Sequence, residues 1–334
     1  MIVLSGDVGG TSTRLQFTEF NEDGKVSVLK NSHFNNSDYV SFSDVVSDFL
    51  SETDFKIDVA CFGVAGPVIN ETVEFTNLSW NINATDIRRD LKLDKVHFLN
   101  DFVAIGYGLE ALQKKDLVTL QAGKPKENAV KAYAGAGTGF GVGFMTYSEE
   151  SYKVHPTEGG HVDFAPCDDV QQELLTFLRE KYRRVSVERL LSGQGLIDIY
   201  SFVRLQESSG EKENSDLDRL IGNDQGDIDL AAAIVEYATK HSDLLAKRAL
   251  DIFIDIYGAA IGNLALTTLP FGGLYIVGGI APKLLREIKE GQFLEAFSNK
   301  GRMKKLIQGV PLYVVLCTEV GLKGAALYAK KFLV

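Results

Sequence analysis

Cysteine is scarce in this 334-residue chain: Cys61, Cys167 and Cys317 are far apart, odd in number and without C-x-x-C spacing. That argues against both a disulfide framework and a structural zinc. No block of Lys or Arg stands out, and 35 basic against 45 acidic residues leave a net charge of −10. Nucleic acid and anionic membranes are therefore not expected as partners. The Val-Val-Leu and Ile-Val-Gly-Gly-Ile runs are far too short to span a bilayer. A strand begins almost at Met1, leaving no room for a secretory leader, and the final Lys330-Lys331-Phe332-Leu333-Val334 is not a peroxisomal address. The cytoplasm is the expected compartment. Neither G-x-G-x-x-G nor G-x-x-x-x-G-K-[ST] occurs. A dinucleotide dehydrogenase and a P-loop enzyme are both disfavoured.

What the chain does have begins at once. The apolar run Met1-Ile2-Val3-Leu4 delivers Asp7 into Val8-Gly9-Gly10-Thr11-Ser12-Thr13-Arg14, and a second strand with Leu15, Phe17 and Phe20 leaves the turn. Glycines let backbone N–H groups approach an anion closely, and the hydroxyls add donors. A carboxylate beside a phosphate cradle repels phosphate, so Asp7 makes sense there with a divalent metal in between. A plain Gly-Gly hairpin with incidental hydroxyls fits the same residues.

The opening pattern returns in the second half. Strands over 1–7, 13–20 and 25–30 are matched by strands over 129–134, 140–147 and 151–155, with Gly135-Ala136-Gly137-Thr138-Gly139 in the first turn of the second set. Two copies point to two related α/β halves facing each other across a cleft. Further strands are predicted at Val59–Val64, Val96–Leu99, 272–279 and Leu312–Leu316, with helices over Phe102–Leu112, Leu230–Leu269 and Gly321–Leu333. Residues 206–229 are polar and aperiodic, and are expected to form an exposed insertion.

Three further groups carry chemistry. Asn100-Asp101 falls between a strand and a helix, at the sheet edge where α/β proteins place ligands. Asp101 there suits either a helix cap or a general base for a hydroxyl nucleophile. His155-Pro156-Thr157-Glu158-Gly159-Gly160-His161 sets a carboxylate and an imidazole around a flexible Gly-Gly turn, a donor and acceptor set suited to a polyhydroxylated ligand. The same spacing invites a zinc reading, but the glycines break the helix that a zinc protease needs. Glu188 is expected at a helix start within Ser186–Gly193. Trp80, the only tryptophan, fits a core residue or the wall of a sugar pocket.

In order along the chain stand Asp-x-Gly-Gly-Thr-x-x-Arg, Asn-Asp after a strand, Gly-x-Gly-Thr-Gly, Glu-Gly-Gly-His, Glu-Arg-Leu-Leu-Ser-Gly and Gly-Gly-Ile-Ala-Pro. Together they resemble the bacterial-type ATP-dependent glucokinases, of the superfamily of hexokinase, actin and the chaperone ATPases. The resemblance covers nearly the whole chain. It implies two actin-like, ribonuclease H-like domains with mixed sheets and helices on both faces: a smaller one over 1–109 plus 321–334 and a larger one over 110–320. It implies that Asp7, Gly9, Gly10, Thr11, Gly137, Thr138 and Gly139 hold the ATP phosphates, and that Gly278 and Gly279 pack against adenosine. Asp101 matches the catalytic base, and Asn100, Glu158, His161 and Glu188 match the sugar ligands. Mg2+ belongs beside Asp7, directly or through water. The base is expected to be an ordinary aspartate with a pKa of about 3.9. Where the related repressor and kinase family carries a Cys-rich zinc motif after its His, His161 is followed by a single cysteine, Cys167, which favours the non-zinc group. D-glucose and ATP as substrates, a role in glycolysis and a homodimer are implied by resemblance. A kinase for fructose, mannose or an N-acetylhexosamine, and a non-enzymatic actin-like nucleotide switch, remain as alternatives.

Overall fold

The computed structural model describes residues 1–51, 53, 55–74, 80–207, 217, 220, 221 and 229–333. The chain divides into two compact units: Met1–Asp116, Glu150–Pro156 and Cys317–Val334 in the first, Leu117–Glu149 and Thr157–Leu316 in the second.

In the first unit β1 (Ile2–Val8), β2 (Ser12–Phe20) and β3 (Val26–Asn35) form a meander. Next come α1 (Phe42–Ser51), β4 (Val59–Val64), a small sheet of β5 (Val68–Ile69), β6 (Thr72–Glu74) and β7 (Asn81–Asn83), and α2 (Ala84–Leu91). β8 (Val96–Asn100) leads into α3 (Asp101–Gly108), and α12 (Val320–Phe332) returns to this unit at the end of the chain. The main sheet has the order β3-β2-β1-β4-β8. β1 is antiparallel to β2 and parallel to β4, and β4 is parallel to β8. Successive side chains on a strand point to opposite faces, so Leu4, Ala60 and Phe62 join one core with Phe17, Phe42, Phe49 and Trp80. Val3, Val59 and Cys61 join the other, against Ala325, Ala326 and Ala329 of α12. Both faces are covered, which fits the nearly continuous apolar run of β4. Trp80 is therefore a core residue, its ring 6.3 Å from that of Phe42.

In the second unit β9 (Leu117–Gln121) precedes β10 (Lys131–Ala136) and β11 (Phe140–Ser148); β12 (Ser151–Thr157), next in the chain, belongs to the first unit except for Thr157. The helices are α4 (Asp169–Tyr182), α5 (Gly193–Glu207), α6 (Leu230–Lys240) and α7 (Leu244–Thr268), then α8 (Ile280–Lys283), α9 (Leu285–Lys289), α10 (Gln292–Ser298) and α11 (Lys304–Ile307). β13 (Gly273–Val277) and β14 (Leu312–Val315) complete a sheet in which the order runs β11-β10-β13-β14-β9. β10 is antiparallel to β11 and parallel to β13, the relation that β1 bears to β2 and β4. The repeat expected from the sequence is thus a repeat of sheet topology.

Three local expectations change. The helical stretch over 230–269 is two helices, because Ser242 takes a left-handed φ of 58° and Asp243 caps α7 by accepting from Ala246 N at 2.9 Å. The helix after Asn100 ends at Gly108, and one 3-10 turn, Leu109–Ala111, continues it. The exposed insertion over 206–229 lies largely outside the described residues, and its described Leu217 is fully buried in the second unit's core. By length and composition α7 is apolar enough to cross a membrane, but 61% of its most apolar window is buried inside the molecule.

Candidate active site

In the first unit the candidate residues gather where the parallel strands end. Asp7 pairs with Arg14 across the β1–β2 hairpin and with Gly63 on β4, which in turn pairs with Leu99. Asn100 and Asp101 follow directly. Asn100 caps α3: its Oδ1 accepts from Phe102 N at 3.0 Å, and Asp101 Oδ1 accepts from the same N–H at 2.8 Å. The cap and the chemical group are therefore neighbours, and Asp101 is the first residue of the helix. Burial pushes its carboxyl up to about 6, opposed by the Phe102 hydrogen bond and reinforced by the charge of Asp7. The expectation of an ordinary aspartate fails here: a carboxylate this poorly hydrated is the stronger base. Burial also raises Asp7, against the pull of Arg14.

Glycines set the position of Asp101. A β-carbon on Gly324 of α12 would collide with the Ala104 carbonyl oxygen, and one on Gly108 with that of Val320. Helices α3 and α12 thus meet backbone to backbone, which fixes the helix that begins at Asp101.

The turn Val8–Ser12 is closed by Gly9 N donating to Ser12 O at 2.9 Å. Among the described residues, no atom beyond its chain neighbours lies within 4 Å of where a β-carbon on Gly10 would stand, and the same is true of Gly137 and Gly279. Gly24, Gly291 and Gly301 are equally open, but positive φ explains them. For Gly10, Gly137 and Gly279 neither packing among the described residues nor φ requires glycine.

In the second unit Gly137–Gly139 links β10 to β11, and Gly278-Gly279 leaves the neighbouring parallel strand β13. Gly278 has φ 85° and would bring a β-carbon 2.7 Å from Ala136 O, so the two turns abut. Gly137, Thr138 and Gly279 line one cavity of about 930 Å3, together with Gln194, Asp229 and Lys283. That volume suits a nucleotide-sized ligand.

Glu158, His161 and Glu188 come together beside this turn. His161 Nε2 lies 3.8 Å from Glu158 Oε2, and its Nδ1 3.7 Å from Glu188 Oε1. Glu188 Oε2 accepts from Phe140 N at 2.9 Å, and a β-carbon on Gly139 would stand 2.5 Å from it. The glycine at 139 therefore makes room for the carboxylate. Two sequence expectations give way. Glu188 sits in a single 3-10 turn, Val187–Arg189, the following helix beginning only at Gly193. The Gly-Gly segment is also a 3-10 turn, Gly159–His161, and Gly160 is packed so that a β-carbon would collide with Phe140 O. That segment is held in place by packing.

Other residues of these sites carry no pattern in the sequence. Asn36 is buried under the first turn, where Thr13 Oγ1 donates to its Oδ1 at 2.8 Å and its Nδ2 donates to Gly9 O at 2.9 Å. Asp198, also buried, accepts from Lys181 Nζ at 2.8 Å, Tyr182 Oη at 2.6 Å and Gln194 Nε2 at 3.0 Å, so it orients a cavity residue. Gln194, Asp229 and Lys283 have polar side chains that only the fold assembles.

The sequence model of the glucokinase family matches residues 4–332. The chain belongs to the glucokinase family. It is 39% identical over 340 residues to the glucokinase of Nostoc punctiforme and 41% identical over 339 residues to that of a Nostoc species, covering 99% of both chains in each case. A crystal structure of glucokinase from an Antarctic psychrotroph is 30% identical, with a TM-score of 0.83 over 98% of each chain. The glucokinase of Balamuthia mandrillaris, solved in complex with glucose, shares the fold: 21% identity, a TM-score of 0.77, and 98% and 92% of the two chains covered. Family membership makes this chain an ATP-dependent hexose kinase of the actin-like sugar-kinase fold, with glucose phosphorylation as its activity.

Proposed function

We propose that the chain transfers the γ-phosphoryl group of Mg·ATP to the 6-hydroxyl of D-glucose, with Asp101 as general base. The observation that carries this reading is the environment of Asp101: a half-buried carboxyl raised to about 6, first in its helix and beside Asp7 at the strand ends. Phosphoryl transfer passes through a loose transition state, so orienting the hydroxyl and accepting its proton late is what a base contributes, typically worth about 10²–10⁴-fold. A carboxylate raised to about 6 is still ionised near neutral pH and accepts a proton more readily than an ordinary one.

Asn100, Glu158, His161 and Glu188 hold the sugar hydroxyls, the carboxylates accepting and the imidazole both donating and accepting. A hydroxyl that is missing or inverted leaves one of these groups unpaired, which costs about 1–3 kcal/mol. The turns at Gly9, Gly10 and Thr11 and at Gly137, Thr138 and Gly139 receive the phosphates, through amides other than those of Gly9 and Gly137, which already donate to Ser12 O and Gly139 O, and Gly278 and Gly279 border the adenosine in the cavity of the second unit. Mg2+ fits Asp7, a carboxylate whose burial disfavours its own charge and which stands close enough to Asp101 to raise it. Bound there, it would neutralise phosphate charge. The enzyme works in glycolysis, in the cytoplasm, as a homodimer.

The test is Mg·ATP-dependent phosphorylation across D-glucose, D-fructose, D-mannose, D-galactose and N-acetylglucosamine. Highest kcat/KM on glucose is expected. Preference for another sugar would overturn the substrate assignment, and ATP binding with no turnover on any sugar would overturn the reaction.

A further inference from the structure

We infer that Asn36 is a positioning residue for ATP: it orients the amides of the first glycine turn without touching the nucleotide. The inference rests on the proposed phosphate role of Gly9, Gly10 and Thr11. Asn36, the first residue of the 3-10 turn Asn36–Asp38 that follows β3, is 1% exposed. Three bonds tie it to the turn beneath Gly10. Thr13 Oγ1 donates to its Oδ1 at 2.8 Å, its Nδ2 donates to Gly9 O at 2.9 Å, and its backbone N donates to Thr11 O at 2.9 Å. Gly9 O can only accept, so the amide orientation is fixed: Nδ2 faces the turn and Oδ1 faces Thr13.

The consequence lies in peptide geometry. Among the described residues no peptide bond is cis, and in a trans peptide the C=O and the next residue's N–H point in opposite directions. With the carbonyls of Gly9 and Thr11 drawn towards Asn36, the N–H groups of Gly10 and Ser12 point away from it. The N–H groups of Gly10 and Ser12, aimed to one side, suit an anion, and the engaged carbonyls cannot turn outward to repel phosphate. The side chain of Asn36 thus holds the Gly9–Gly10 peptide and its backbone N–H the Thr11–Ser12 peptide, so the direction of the Gly10 amide depends on the side chain.

Two variants test this. Asn36→Asp keeps the acceptor for Thr13 and the backbone donor but removes the donor to Gly9 O. Thr13→Val keeps the shape and releases Oδ1. Unfolding midpoint, KM for ATP, KM for glucose, kcat and calorimetric binding of Mg·ADP and of glucose are measured for each. Asn36→Asp is expected to raise the KM for ATP at least tenfold with glucose binding within twofold of the parent, and Thr13→Val to move it the same way by less. Should Asn36→Asp not fold, Thr13→Val carries the test alone. A lower midpoint with unchanged KM for ATP, or equal rises in both KM values, would overturn the inference. Gly10→Val separates this from the underlying reading, since it fills the open face and leaves Asn36 alone. Undiminished Mg·ADP binding in Gly10→Val would overturn the phosphate-turn reading itself. Loss of binding there, with parental ATP affinity in the Asn36 and Thr13 variants, would overturn only the role of Asn36.

Discussion

Replacing Asp101 by Asn should stabilise the protein at neutral pH. The carboxyl is held at about 6 in the folded chain, against an ordinary 3.8, chiefly because burial opposes its charge. That displacement corresponds to about 3 kcal/mol set against the ionised folded form. Water reaching a half-buried group reduces it, so a gain of about 1–3 kcal/mol is expected. The sign follows from linkage. A folded pKa above the unfolded one favours folding of the protonated form, so the native protein has this contribution in full below about pH 4 and loses it as the pH rises through about 6. Asn does not titrate, and its Oδ1 can still accept from Phe102 N. The difference in unfolding free energy between Asp101→Asn and the parent should therefore open between about pH 4 and 6 and level off above. Urea unfolding of both ligand-free proteins from pH 4 to 8 measures it. A difference that stays constant over this range, or a variant that loses ground to the parent as the pH rises, would refute the claim that Asp101 is a desolvated, strained carboxylate. Such a residue follows the general pattern of active groups kept at a cost in stability.

Three further substitutions separate binding from stability. Gly10→Ala adds a β-carbon to open space at a φ that is not left-handed, so it should raise unfolding free energy by about 0.4–1 kcal/mol while raising the KM for ATP; chemical denaturation beside steady-state kinetics checks both. Gly139→Ala puts a β-carbon 2.5 Å from Glu188 Oε2 and should weaken glucose binding by calorimetry at least tenfold. Gly324→Ala drives a β-carbon into the Ala104 carbonyl where α3 meets α12. It should cost about 1–3 kcal/mol in denaturation and lower kcat by displacing Asp101.

Much of this was legible in the sequence because backbone necessities leave marks. Glycines at 10, 137 and 279 stand where neither packing nor φ demands them, and they recur after apolar runs in the same order as the strands. The repeated strand–turn–strand pattern followed from alternation and apolar runs, whose period is set by the strand itself. What stayed hidden depends on burial and on partners remote in sequence. The pKa of Asp101 comes from desolvation, which no local pattern encodes. Asn36 and Asp198 look like surface polar residues until the fold encloses them. The break at Ser242-Asp243 lies inside a long helix-favouring stretch and was masked by it; the Asp cap was its one visible sign. Glu188 reads as a helix start in the sequence, yet its segment is one 3-10 turn and the helix begins only at Gly193.

The central claim is that Asp101 takes the proton from the sugar hydroxyl and contributes little to holding the sugar. It is tested most directly by measuring, on one preparation of Asp101→Asn, both the glucose dissociation constant by calorimetry and kcat with saturating Mg·ATP. The account predicts glucose binding within a few-fold of the parent and kcat lower by about 10²–10⁴-fold. A folded variant that binds glucose and turns over at near-parental kcat would contradict it.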